Sequence, residues 1–362
     1  VLTYSTAALY SGLAIGGDLR PLTGVVNAFP DLPTVERPQD YDRTIVAVVA
    51  KRTVLDSLLR DALPTTRGAL FRLADSLVEA RVAAGISTEQ RARSAELGAS
   101  IGNAIVDWSR ADRFADTRGR KYVAPAGPGK WVNDAPAPVF ASQNLSGASE
   151  FIAFDNPANV MQAGKANDRG LVLNRPKPSD ASLPAVNMTG TSEPYWGELR
   201  PFALEAWNEC TVPAPPDYST DTASALYKNA YAVYKAKQDL TPEHKTIALY
   251  WADNAGESGT PVGHWIAIAS QMVSQRDLNA EDAARMMFLT AVAEADAFIA
   301  SWGYKYHYSL IRPRTYIRRV IDSTWEPLIP TPPFPEYPSG HSTQSSAAAQ
   351  AITPLLGPIP FD

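Results

Sequence analysis

A chain of 362 residues with 45% hydrophobic and 20% charged residues has the make-up of a soluble globular protein. It is long for a single hydrophobic core, so one large domain or two packed sub-domains are expected. A net charge of −5 excludes a protein that condenses as a whole on nucleic acid, so a bound anion needs a local cluster of cations.

The readable periodicity is helical. Residues 43–62 (RTIVAVVAKRTVLDSLLRDA) carry apolar side chains at three- and four-residue spacing, and residues 66–84 repeat the pattern. Ser87-Thr88-Glu89-Gln90 fits a capping box, with the Ser87 hydroxyl accepting from the third backbone N–H and Gln90 reaching back. A helix of about 25 residues follows it, ending near Arg113. The cluster Arg118-Arg120-Lys121 reads as a solvated loop. Residues 123–220 are rich in Pro, Asn and Gly and poor in period, which predicts irregular connections. Trp131, Phe140, Phe151, Phe154, Trp196 and Trp207 argue that this stretch is ordered, because disordered segments rarely carry so many aromatics. The lone cysteine, Cys210, leaves no intrachain disulfide. Thr241-Pro242-Glu243 reads as an N-cap with a first-turn proline, opening a helix over 242–253. Asn279 caps a long helix from 280 to about 306. Its apolar stretch 286–304 contains Glu294 and Asp296, and no run of about 18 uncharged apolar residues is present to span a membrane. No repeat of fixed period is found. The expectation is therefore an all-α protein of two packed helical bundles, residues 1–122 and 221–362, with long irregular connections over 123–220 on the outside. The start at Val1 fits both a removed leader and a chosen first residue. A periplasmic or secreted location is the expectation taken forward, and a homo-oligomer stays open.

The long helix runs into SWGYKYHYSLIRPRTYI. Lys305 and Arg312 stand seven residues apart, almost two helical turns, so both side chains are expected on one face, where they can converge on one ligand. Lys supplies a compact charge and Arg a planar fork suited to two oxygens of a tetrahedral anion. Pro313 disfavours helical geometry at the residue before it, so the helix should end or kink there. Trp302, Tyr304, Tyr306, Tyr308 and Leu310 surround the pair, which is not the composition of a solvated face. Buried cations require a counter-charge.

PPFPEYPSGHSTQSSAAAQAI reads as an extended approach followed by a helix. Ser339 is a natural N-cap and can add a hydroxyl donor. The free N–H groups of a helix start there form an anion site. Gly340 lets backbone come close, and His341 on the first turn can give or take a proton near neutral pH. Ser345, Ser346, Ala347, Ala348 and Ala349 permit close packing behind it.

K-x6-R-P followed by PSGH resembles the type-2 phosphatidic acid phosphatase superfamily, which includes the vanadium haloperoxidases and bacterial acid phosphatases. Trp302, three residues before Lys305, and Phe334, seven before His341, resemble the haloperoxidase branch, as does PPFPEYPSGHS itself. The resemblance is close over residues 240–350. It implies a fold of two helical bundles and a bound vanadate, whose site phosphate could share. It further implies that Lys305, Arg312, Ser339 and Gly340 hold the oxyanion, and that Trp302 and Phe334 line the halide side. His341 would be the acid–base that helps hydrogen peroxide add to vanadate, after which a halide is oxidised to a hypohalous acid equivalent. Vanadium keeps its oxidation state, so neither haem nor flavin is needed.

The family's third motif, S-R-x5-H-x3-D, has no match between His341 and Asp362. Its vanadium-ligating His is expected beyond Asp362. A second polypeptide that completes the site, or an inactive chain, are the alternatives. Asp253 is weighed as an acceptor behind Lys305 or behind the third motif's Arg, against a plain turn role. His264 reads as packed or capping, His307 as structural, and His244 as surface. Three functions remain: a vanadate-dependent haloperoxidase acting on peroxide and halide, an acid phosphatase acting on a phosphate ester in the same pocket, and a non-catalytic oxyanion-binding protein. A Ser–His hydrolase fits poorly, because G-x-S-x-G is absent.

Overall fold

The computed structural model describes residues 1–60, 62–117, 120–134, 192–253 and 258–360. Among the described residues the helices are α1 (Leu2–Leu13), α2 (Arg43–Leu58), α3 (Pro64–Ala83), α4 (Thr88–Arg110), the single turn α5 (Phe114–Thr117), α6 (Ala225–Gln238), α7 (Pro242–Tyr250), α8 (Thr260–Gln275), α9 (Ala280–Tyr308), α10 (Pro313–Val320) and α11 (Gly340–Leu356). No strand occurs among them, and an isolated antiparallel bridge joins Lys130 to Leu310. The fold is all-α. No described helix is long and apolar enough to cross a membrane.

Short polar side chains set the helix starts. Asp42, Ser87, Ser224, Thr241, Asn279 and Ser339 each accept a backbone N–H of the first turn that would otherwise lack a partner. Ser87 accepts from Gln90 N at 3.1 Å as the capping box requires, while the Gln90 amide turns to the Gln39 carbonyl instead of reaching back. Two ends fall short of the sequence reading for one reason. Arg113 (φ 71) and Asp253 (φ 46) adopt left-handed backbone, so α4 stops at Arg110 and α7 at Tyr250.

The core of the first half is built on α2, which packs against α1, α3 and α4. Gly12 is required at the α1–α2 crossing, because a Cβ there would lie 2.3 Å from Ala47 Cα. Tyr4, Ala8, Val46, Ala50, Ile101, Ile105 and Trp108 fill this core, and it continues without a break onto Ala284, Phe288 and Val292 of α9. A second core joins Trp265, Ile268, Ala269 and Met272 of α8 to Met286 of α9 and to Ala348 and Ile352 of α11. The long helix α9 thus contributes to both cores.

The described flanks of the irregular stretch are packed on α9. Trp131 is buried and its N–H donates to the Ser309 carbonyl at 2.8 Å. The Asp296 carboxylate accepts three consecutive N–H groups, from Phe202 at 2.6 Å, Ala203 at 2.7 Å and Leu204 at 2.9 Å. Burial pushes this carboxyl up in pKa, and those three donors oppose the shift. Arg120 and Lys121 are exposed in irregular backbone, as a solvated loop would place them, and Arg120 pairs with Glu198 and lies over the Tyr195 ring. Residues 135–191, which carry Phe140, Phe151 and Phe154, and Arg118 lie outside the described residues.

Candidate functional site

The site lies where α9 ends, α10 begins and α11 begins. The sequence reading placed Lys305 and Arg312 on one helix, and here the structure corrects it. Ser309 takes left-handed geometry (φ 50, ψ 45), which stops α9 at Tyr308. Arg312 is extended (φ −75, ψ 148) and caps α10, whose first residue is Pro313. The proline therefore opens a new helix after an earlier stop. Lys305 and Arg312 still converge, but from two elements.

They converge on one segment. Lys305 Nζ donates to the carbonyls of Pro335 at 3.1 Å and Glu336 at 2.9 Å. Arg312 Nε donates to the Phe334 carbonyl at 2.6 Å, and its Nη1 meets Glu336 Oε2 at 2.7 Å. The Phe334 ring faces both cations, 5.1 Å from Lys305 Nζ and 4.7 Å from the Arg312 guanidinium carbon. Lys305 is 2% exposed, and burial, with Arg312 nearby, lowers its pKa to about 7 while Glu336 pulls it back up. Burial likewise lowers Arg312, and Glu336 opposes that shift. Arg312 Nη2 is buried without a hydrogen-bond partner. A charged donor left this way costs several kcal/mol, at roughly the scale set by a lost charged hydrogen bond, unless an acceptor arrives.

The opening turn of α11 stands beside Lys305. A Cβ on Gly340 would lie 3.4 Å from Trp302 Cζ3 and 4.0 Å from Lys305 Cε, so the glycine backs directly onto them. Ser339 Oγ accepts from Ser342 N at 3.2 Å and keeps its own O–H to donate. The first-turn N–H groups of Gly340 and His341 precede the first intrahelical bond. Ser339 and His341 are exposed. Trp302 is buried, stacked on Phe298 at 3.9 Å and tilted against Phe334 at 4.9 Å, which makes the wall beside Lys305 aromatic. An ammonium, a guanidinium with an orphaned N–H, a hydroxyl and helix-start amides form a donor set that fits a tetrahedral oxyanion.

Asp253 is not brought to Lys305. It is buried, its Oδ2 lies 3.0 Å from His264 Nδ1, and its Oδ1 accepts from Ser258 at 3.2 Å. His264 stacks on Trp251 at 4.6 Å and its Nε2 lies 3.2 Å from Tyr250 OH, so it is a packed, bonded histidine. His307 and His244 are exposed, and His307 packs beside Trp207 and Tyr308.

Glu336 is the residue that sequence reasoning missed. The signal was available, since buried cations need a counter-charge and only Asp322, Glu326 and Glu336 lie between Arg312 and Ser339. Asp322 turns to Thr324, and Glu326 to Arg314 and Arg318.

Residues 285–359 match the family model described as the VCPO second helical-bundle domain, a stretch that contains Trp302, Lys305, Arg312, Phe334, Ser339, Gly340 and His341. Among curated proteins, the chain is 31% identical over 210 residues to the vanadium chloroperoxidase of Curvularia inaequalis, covering 48% of this chain. The match spans about a third (34%) of that relative's length. Among solved structures, the first bacterial vanadium-dependent iodoperoxidase superposes with a TM-score of 0.74 at 28% identity, over 98% of this chain and 74% of that one. An apo-type bacterial vanadium-dependent chloroperoxidase shares the fold, with a TM-score of 0.61 at 17% identity over 100% of this chain and 77% of its own.

Proposed function

We propose that this chain, which is similar to vanadium haloperoxidases, contributes to a vanadate site at which hydrogen peroxide oxidises a halide. Bound vanadate supplies a Lewis-acidic centre that activates peroxide without a change in its own oxidation state. Lys305 and Arg312 would hold the oxyanion, with Arg312 Nη2 as a direct donor and Lys305 Nζ adding a third N–H beyond the two it spends on carbonyls. Ser339 and the Gly340 N–H complete this chain's share. His341, exposed on the first turn, would move the proton between peroxide and solvent. Trp302 and Phe334 would give the halide a weakly hydrated, apolar side of the pocket. The chain carries two of the three family motifs, so the vanadium-ligating histidine of the third is assigned to none of its residues.

The observation that carries this reading is the buried, partnerless Arg312 Nη2 beside a buried Lys305. The experiment is a halide-oxidation assay with peroxide, run with and without vanadate, beside hydrolysis of a phosphate ester. Vanadate-dependent halogenation that is lost in Arg312→Ala and His341→Ala is expected. Ester hydrolysis without halogenation would favour a phosphatase, and tight vanadate binding without either activity would favour a non-catalytic oxyanion-binding protein.

A further inference from the structure

We propose that Glu336 sets the charge of the anion this site accepts, favouring singly charged tetrahedral oxyanions over doubly charged ones. This rests on the oxyanion reading above and adds a specificity-determining residue to it. The segment 334–336 lies across both cations, and Glu336 touches each of them in a different way. Its backbone carbonyl accepts from Lys305 at 2.9 Å, and its carboxylate pairs with Arg312 Nη1 at 2.7 Å. With Nε given to the Phe334 carbonyl, Nη2 is the part of the guanidinium left for a ligand.

The charges around that Nη2 are few. Lys305 and Arg312 bring two positive charges and Glu336 one negative charge, and the start of α11 adds a partial positive end. Of the other acids between Arg312 and Ser339, Asp322 turns to Thr324 and Glu326 to Arg314 and Arg318. Among the described residues Glu193 acts on the neighbouring Tyr306, while Glu336 is the carboxylate that acts on both Lys305 and Arg312. This chain's share of the pocket therefore matches about one negative charge on the ligand at a pH below about 7, where Lys305 carries its proton. A carboxylate on one prong of a guanidinium stands roughly 5 Å from an oxygen held on the other prong, close enough for repulsion to grow with each added ligand charge. The Glu336 side chain is 36% exposed and the Arg312 side chain 11%, so solvent weakens this repulsion without removing it.

The test uses two tetrahedral anions whose charges are fixed across neutral pH, perrhenate with one negative charge and sulfate with two. Calorimetric titrations at one pH and ionic strength compare the parent chain with Glu336→Gln and Glu336→Asp. The parent should bind perrhenate more tightly than sulfate. Glu336→Gln should tighten sulfate binding by about tenfold and perrhenate binding much less. Glu336→Asp, which keeps the charge, should keep the parent's order. A parent that prefers sulfate overturns the proposal without reference to any variant. Equal gains for both anions in Glu336→Gln, or the same change in Glu336→Asp, also overturn it. A parent that binds neither anion removes the oxyanion reading itself, and this proposal with it.

Discussion

The ammonium of Lys305 lies 2.9 Å from the backbone carbonyl of Glu336, a residue on the extended approach to α11. That contact, with the Glu336–Arg312 ion pair, ties the C-terminal end of α9 to the start of α10 and α11. The positive charge at the site is therefore held by a strap rather than by a shared helix face, and the consequences can be measured.

Lys305→Met keeps the aliphatic stem against Trp302 and removes the charge. Oxyanion affinity should fall by about ten- to a hundredfold, the scale of one charge-assisted hydrogen bond. Titration of phosphate or vanadate followed by thermal shift checks this. An unchanged shift would mean that Lys305 only braces the strap.

Because the Lys305 pKa is lowered to about 7, its charge is present below that pH and is lost above it, so anion affinity should weaken as pH rises through about 7. Stability of the ligand-free protein runs the other way. The unfolded chain binds this proton up to the ordinary value of 10.5, and the folded chain releases it near 7, so this group favours folding increasingly as pH rises across that window. Denaturant unfolding of parent minus Lys305→Met, measured across that pH range, should show a positive slope.

Glu294 sits in the middle of α9, fully buried, with both carboxyl oxygens lacking a partner, and burial pushes its pKa up to about 9. It is protonated at neutral pH, and the unfolded chain is not, so it costs stability as pH rises from about 4.5 to about 9. Glu294→Met should stabilise the protein by on the order of 2 kcal/mol at pH 7, with the gain shrinking toward acid. A destabilised variant at pH 7 would show that the carboxyl has a partner in solution.

Asp296→Ala leaves the N–H groups of Phe202, Ala203 and Leu204 without an acceptor. A loss of about 3 kcal/mol or more is expected, read as a lower unfolding midpoint in urea. The segment anchored there packs Trp196 at a tilt against Trp302 at 5.9 Å and Trp207 edge-on to Tyr304 at 4.8 Å, so near-ultraviolet circular dichroism should change with it.

Much of the helical fold was legible where a cap met a period. Ser87, Thr241, Asn279 and Ser339 each marked a true helix start. α1 was not located because it is buried nearly all round, leaving no polar face to make a period. α8 has Gly259 at its N-cap and so no side-chain cap, and α10 is only 8 residues long. At the site, the residue types of both motifs were readable, since Lys, Arg and Ser-Gly-His declare their chemistry. Their geometry was not. Spacing alone suggested a continuous helix from Lys305 to Arg312, whereas the left-handed turn at Ser309 is a non-glycine exception that sequence rules disfavour. The need for a counter-charge narrowed Arg312's partner to Asp322, Glu326 or Glu336, but a pairing across 24 residues could not be chosen among them by spacing.

The central claim is that Arg312 Nη2 awaits a tetrahedral oxyanion beside Lys305 and the start of α11. Equilibrium titration of the parent and of Arg312→Ala with vanadate, with phosphate as competitor, tests it most directly. The account predicts one vanadate per chain, displaced by phosphate, with affinity at least about tenfold weaker in the variant. Vanadate binding of equal strength in parent and Arg312→Ala would contradict it.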